Sequence, residues 1–280
     1  MKIGVIGFGH FAGVVAACLA DKRHIIAQFD YVPALRRADQ RLAVDEPGWK
    51  GLYAAWCHNW KQCETTITLK HQDLLWIAYD VPLDENGSPV VDEILSRIHR
   101  LHGELPTAIP FLVSCQWPVG TTRKIAAQCE GREFVYVMEN VRVGKAIADF
   151  QANPLPAIGA ADIPQGVVWD FIKSIQTKDA WCGSWESIEL AKHTTNAFMA
   201  LQIAFINEIG RIADAVGAEK ADVSRALMSD ARVSPHAPLK PGGPFGGGSL
   251  KRDLLVLEQV GEDHKLVTPI IDSILMSNEA

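Results

Sequence analysis

Three features of the 280-residue sequence predict an α/β fold: a doubly wound parallel sheet followed by a mainly helical domain with a long central helix. Short apolar runs alternate with helical patterns through the first half, as in a parallel sheet covered by helices on both faces. A glycine-rich turn separates the first apolar run from the first helical pattern. From Glu186 onward apolar residues recur at helical spacing, with no proline before Pro235.

The predicted strands are 2–6, 24–29, 65–69, 74–78, 109–114 and 134–138, with crossover helices at 11–20, 91–101 and 121–128. Phe198, Leu201, Phe205, Ile209, Ile212 and Val216 then mark one continuous helix of about eight turns. Beyond it the pattern gives a helix at 221–228, a Pro/Gly-rich loop at 234–248, and helices at 250–260 and 269–276. The expected domains are therefore 1–185 and 186–280.

A net charge of -6 and a pI near 5.8 remove any general attraction to nucleic acid or anionic membrane. The chain runs from Met1 straight into an apolar strand and has no apolar run near 20 residues, so a cytoplasmic protein is expected. Six cysteines are scattered without a CxxC pair, the pattern of reduced thiols. Cys57, His58 and Cys63 are too few and too irregularly spaced for a metal site, so no metal is expected.

Gly7-Phe8-Gly9-His10-Phe11-Ala12 follows the first strand and opens a helix, the context that makes GxGxxG/A a dinucleotide fingerprint of the Rossmann type. Gly7 permits the tight turn, Gly9 lets a diphosphate approach the backbone, and Ala12 keeps helix and strand close. Asp30, about 20 residues on, ends the second strand where a carboxylate accepts ribose hydroxyls and repels a 2′-phosphate, favouring NAD. Arg36 and Arg37 keep NADP as the alternative. Phe11, Pro82 and Gln116 complete the expected cofactor contacts.

Lys192 and Asn196 lie four apart and project from one face of the long helix. A lysine there can polarise or deprotonate a substrate hydroxyl and an asparagine can anchor an oxygen, although a solvated helix face has the same spacing. The loop from Pro241 to Gly248 is flanked by Arg232, Lys240, Lys251 and Arg252, which suits either an anion-binding loop or a flexible linker. Ser249 follows it as the expected N-cap of the next helix.

Taken together, these blocks resemble the UDP-glucose/GDP-mannose 6-dehydrogenase family from residue 1 to about 260. Besides the fingerprint and Asp30, they are Glu46-Pro47-Gly48, Pro118-Val119-Gly120-Thr121, the run 144–150, Glu189-Leu190-Ala191-Lys192 with Asn196-Ala197-Phe198, the run 205–209, and the glycine loop. The resemblance implies successive NAD-dependent hydride transfers on a nucleotide sugar, and a homodimer built on the long helix. By position it assigns Lys192, Asp253 and Glu139 to catalysis, Asn196 to the substrate, and Arg232 to the substrate of a neighbouring subunit. Phe245, Gly246 and Gly247 fall in its substrate loop.

The chain departs from that pattern where acid formation is concerned. Ser249 stands where the family has a cysteine whose thiolate captures the aldehyde, and a serine hydroxyl is a far poorer nucleophile. Gln116 replaces a threonine that positions the hydrolytic water, and Ser114 replaces a lysine. The sequence ends at Ala280, so the family's third domain is expected to be absent. These departures favour a two-electron alcohol/carbonyl interconversion on a nucleotide sugar or a smaller phosphorylated or carboxylated alcohol. The alternatives are full oxidation to the uronic acid and a non-catalytic NAD-binding partner subunit. The Lys-x-x-x-Asn helix also resembles the β-hydroxyacid dehydrogenases.

Overall fold

The computed structural model describes residues 1–32, 45–85, 87–246 and 248–280. The chain packs as two compact units, residues 1–82 with 90–192, and residues 83–89 with 193–280. Arg36, Arg37 and Gly247 lie outside the described residues.

The first unit is built on strands β1 (Lys2–Ile6), β2 (Ile25–Phe29), β3 (Trp60–Gln62), β4 (Leu74–Ile77), β5 (Phe111–Val113), β6 (Phe134–Met138), β7 (Ala157–Gly159) and β8 (Trp181–Gly183). They form one sheet in the order β3-β2-β1-β4-β5-β6-β7-β8, parallel except where β7 pairs antiparallel with β6. Chain order reverses between β1 and β4, the switch point at which folds of this class bind ligands beyond the carboxyl ends of the strands.

The strands inside the sheet are buried on both faces, so their side chains divide alternately between two cores, whereas the edge strands β3 and β8 are partly exposed. Ile3, Val5, Trp76, Leu112 and Val135 meet α1 (His10–Asp21), α2 (Trp49–Trp56), α5 (Ala146–Ala152) and α6 (Gly166–Ile175) on one face. Ile6, Leu75, Ile77, Phe111 and Tyr136 meet α3 (Asp92–Glu104) and α4 (Thr121–Gln128) on the other. The predicted doubly wound fold is observed.

One predicted strand is wrong. Residues 66–69 lie in a 3-10 turn, Thr66–His71, which Thr65 precedes and in which the Thr66 hydroxyl donates to Glu104 Oε2 at 2.7 Å. The edge position beside β2 belongs to Trp60–Gln62. Trp60 is held there by donating from Nε1 to Gln28 Oε1 at 3.0 Å, and by edge-on packing with Trp49 and Tyr53.

His24, at the entry to β2, is buried and packs edge-on against Phe171. Burial, helped by the amino terminus and Lys22, lowers its pKa to about 4. Unfolded chains then bind the imidazole proton from about pH 6.5 downward while the fold resists it until about pH 4. This contribution to stability is whole above pH 6.5 and is lost as pH falls to about 4. We expect a loss of about 1–3 kcal/mol over that window, and thermal melts of His24→Gln should lack it.

The second unit begins within α7 (Trp185–Val216), at His193, and adds α8 (Lys220–Met228), α9 (Gly248–Asp263) and α10 (Pro269–Glu279). Ala197, Ala200 and Ala204 share one face of α7 and pack with Leu254 of α9 and Ile274 of α10. Phe198, Phe205 and Ile212 lie about a quarter-turn round the helix from these alanines and are exposed. No helix among the described residues is long and apolar enough to cross a membrane.

Candidate functional site

At the carboxyl end of β1 the fingerprint has the geometry a nucleotide loop needs. Gly7 turns at φ +117°, and a side chain there would meet the Ala78 carbonyl oxygen at 2.9 Å. Its N–H donates to Phe29 O at 2.9 Å and its carbonyl accepts from Gln28 Nε2 at 2.7 Å, tying the turn to β2. Phe11 and Ala12 are core residues, Phe11 edge-on to Trp76, so any cofactor contact from either is through the backbone. Asp30 directly follows β2 in a buried position, accepting from Val32 N at 2.9 Å and facing Arg97 at 3.4 Å. Arg97 in turn lies over the Tyr79 ring. This frame fits a dinucleotide, with one exception: the Asp80 carboxylate occupies the space over Gly9. Pro82 is exposed at the end of the segment, and its carbonyl accepts from Val90 N at 2.8 Å.

Glu46, quoted only as part of a motif in the sequence, proves to be a clamp. It accepts from Gly144 N at 2.9 Å, Ala146 N at 2.6 Å and His10 Nε2 at 3.0 Å. Burial alone would raise its pKa, but those donors hold it below the ordinary glutamate range.

Lys192, in the third turn of α7, is buried with its Nζ 2.8 Å from Glu139 Oε1 and donating to the Glu139 carbonyl at 2.6 Å. Glu139 lies just past the end of β6, and its Oε1 also accepts from Gln116 Nε2. Gln116 is thus drawn to the carboxylate. Ser114 is absorbed in packing: buried, it accepts from Trp76 Nε1 and donates to Val137 O, both at 2.9 Å.

Sequence reasoning missed the residue that fixes this part of α7. Glu189, one turn before Lys192 and fully buried, accepts from Trp117 Nε1 at 2.8 Å, Gly120 N at 2.6 Å, and both Thr122 N and Thr122 Oγ1 at 2.9 and 2.5 Å. Burial pushes its pKa above the ordinary range in spite of these donors. The available signal was an acid in an otherwise apolar turn, i-3 to the lysine.

In the second unit Asp253 of α9 is fully buried. Its Oδ1 lies 3.0 Å from His193 Nδ1, and its Oδ2 accepts from Asn196 Nδ2. His193, also fully buried, had no role assigned from sequence. Ser249 is not the helix N-cap that was expected: α9 starts at Gly248, so Ser249 stands inside its first turn, exposed. Two asparagines hold residues 242, 243 and 245 of the preceding loop. Asn207 accepts from Gly242 N at 2.8 Å and donates to Gly243 O at 3.0 Å, while Asn278 makes the same reciprocal pair with Phe245 at 2.8 and 3.2 Å. Phe245 is half-buried against the α7–α10 core, and Gly246 is exposed. Arg232 is exposed and already paired with Asp230 at 2.7 Å.

Residues 186–280 match the model of the UDP-glucose/GDP-mannose dehydrogenase family, central domain. Over that span the chain is similar to the family's central domain. Among relatives of the family, UDP-glucose 6-dehydrogenase of Pseudomonas aeruginosa is 26% identical, over 96% of this chain and 64% of its own. GDP-mannose 6-dehydrogenase of Pseudomonas putida is 24% identical, over 100% of this chain and 68% of its own. A solved UDP-glucose dehydrogenase from Pyrobaculum islandicum superposes with a TM-score of 0.85 at 25% identity, covering 99% of this chain and 68% of that one. The chain thus spans about two thirds of the length of these relatives. Within the family-matched span lie Glu189, Lys192, His193, Asn196 and Asp253.

Proposed function

We propose that this protein is an NAD-dependent dehydrogenase that interconverts an alcohol and a carbonyl on a nucleotide sugar in one two-electron step. The observation that carries this reading is the buried Lys192–Glu139 pair, with Asn196 one turn further along the same helix. NAD, when bound, supplies the hydride acceptor. Gly7, Gly9 and the start of α1 would hold its diphosphate, and Asp30 the ribose hydroxyls.

The remaining chemistry belongs to the chain. Two of the three Lys192 ammonium donors serve Glu139, which leaves one for a substrate oxygen. As the carbinol C–H bond gives up its hydride, the hydroxyl proton passes to the Lys192–Glu139 pair; the reverse transfer reduces a carbonyl. Asn196 donates to Asp253, which leaves its carbonyl oxygen to receive a substrate hydroxyl. Asp253, fixed by His193, keeps that amide in one orientation. Ser249 supports a single oxidation, because it supplies no thiolate to trap an aldehyde.

The test is incubation with NAD and a panel of nucleotide sugars, with product mass and NADH yield measured together. One NADH per substrate and a product lighter by two hydrogens are expected, and Ser249→Ala should leave both unchanged. Two NADH and an acid would overturn the two-electron reading, and loss of that acid in Ser249→Ala would make the hydroxyl a nucleophile.

We further propose a homodimer through α7. Phe198, Phe205, Ile212 and Val216 are between 49% and 72% exposed along one stripe, more apolar surface than a lone helix leaves to water. Light scattering should give twice the chain mass, and Phe198→Asp with Phe205→Asp should halve it. A monomeric wild type at micromolar concentration would sink the proposal.

A further inference from the structure

The glycine at the second fingerprint position exists so that an anion can lie against the backbone, and here a carboxylate of the chain itself lies there. A Cβ built on Gly9 would sit 1.8 Å from Asp80 Oδ2 and 2.7 Å from Asp80 Cγ, so the side chain fills the notch that the missing methyl leaves. The same Oδ2 accepts from His10 N, the first amide of α1, at 3.2 Å. Gly9 offers no side-chain cap and the first turn of α1 carries no acidic residue, so Asp80, 70 residues away, is the anion at the helix's positive end. It arrives from the segment just past β4, on the other side of the switch point.

We propose that Asp80 is a charge gate on the nucleotide loop: its carboxylate must leave the notch over Gly9 before a dinucleotide diphosphate can enter, and it weakens the affinity of the loop by that exchange. This inference rests on the NAD reading above. Two negative groups cannot share the notch: the volume is the same, and like charges at that separation repel strongly where solvent is partly excluded. Asp80 is exposed, so rotating its side chain towards water is open to it. The gate therefore acts on affinity and leaves the fold of the loop intact. When the carboxylate leaves, α1 exchanges one anion at its N-terminus for another, and its amides keep a partner throughout.

The experiment is NADH binding followed by fluorescence and by the NADH-induced rise in Tm, for wild type, Asp80→Asn and Asp80→Gly. Asp80→Asn retains the shape and an oxygen acceptor but removes the charge; Asp80→Gly removes both. We expect Asp80→Asn to bind NADH about tenfold more tightly than wild type. Asp80→Gly should bind at least as tightly as Asp80→Asn, even though its Tm without ligand falls through loss of the cap. The gap between wild type and Asp80→Asn should narrow as salt is raised, because screening weakens the repulsion. Equal affinity in all three proteins, or weaker binding by the variants, would overturn the gate and leave the dinucleotide reading standing. No binding by any of the three at millimolar NADH would overturn both.

Discussion

Lys192→Met is expected to lower turnover about a thousandfold while NADH affinity stays within a factor of about two, because the lysine handles a proton and the nucleotide loop lies elsewhere in the sheet. The variant also carries a stability cost. Glu139 is left buried with Gln116 and a backbone amide as its remaining partners, and an uncompensated carboxylate there should cost about 2–4 kcal/mol. The double variant Lys192→Met/Glu139→Gln separates the two effects, since a neutral amide needs no cation. Its Tm should recover most of the loss while turnover stays low. If activity returned together with Tm, Lys192 would be a structural residue and its assigned chemistry would fall.

Glu189→Ala should be the most destabilising single change in the first unit, lowering stability by about 3–5 kcal/mol. Trp117 Nε1, two backbone amides and the Thr122 hydroxyl would lose their acceptor in a site without water access. Glu189→Gln should cost less, about 1–3 kcal/mol, because Oε1 can still be matched by an oxygen but the new NH2 group would face the Gly120 N–H. Chemical denaturation of the three proteins orders them directly. A Glu189→Ala variant as stable as wild type would show that the loop at 117–122 reaches other partners and does not depend on this carboxylate.

What could be read from sequence followed the physics of each signal. β1, β4 and β6 were legible because they are continuous apolar runs, and α7 because its periodicity persists for 32 residues. β3, β7 and β8 were not, because three residues carry no period; pairing with neighbours far along the chain defines them. Residues 65–69 misled because threonine and isoleucine favour strands in general, whereas here the Thr66 hydroxyl and the Trp60 ring decide which segment reaches the edge. The site divides in the same way. Lys192, Asn196, Asp253 and Glu139 were nominated by motif. Glu189, His193, Asn207 and Asp80 act through partners 35 to 72 residues away, and of the four only Glu189 leaves a local trace, an acid among apolar neighbours.

The segment Leu83–Pro89 belongs to the second unit although first-unit chain flanks it on both sides. It closes on itself through a bridge between Leu83 and Pro89 and a bond from Ser88 N to Asp84 Oδ1 at 2.8 Å, and Gly87 lies close to Leu255 of α9. During synthesis this piece leaves the ribosome about a hundred residues before the helices it joins, so it must wait for them. A fragment starting at His193 therefore lacks one segment of the helical unit.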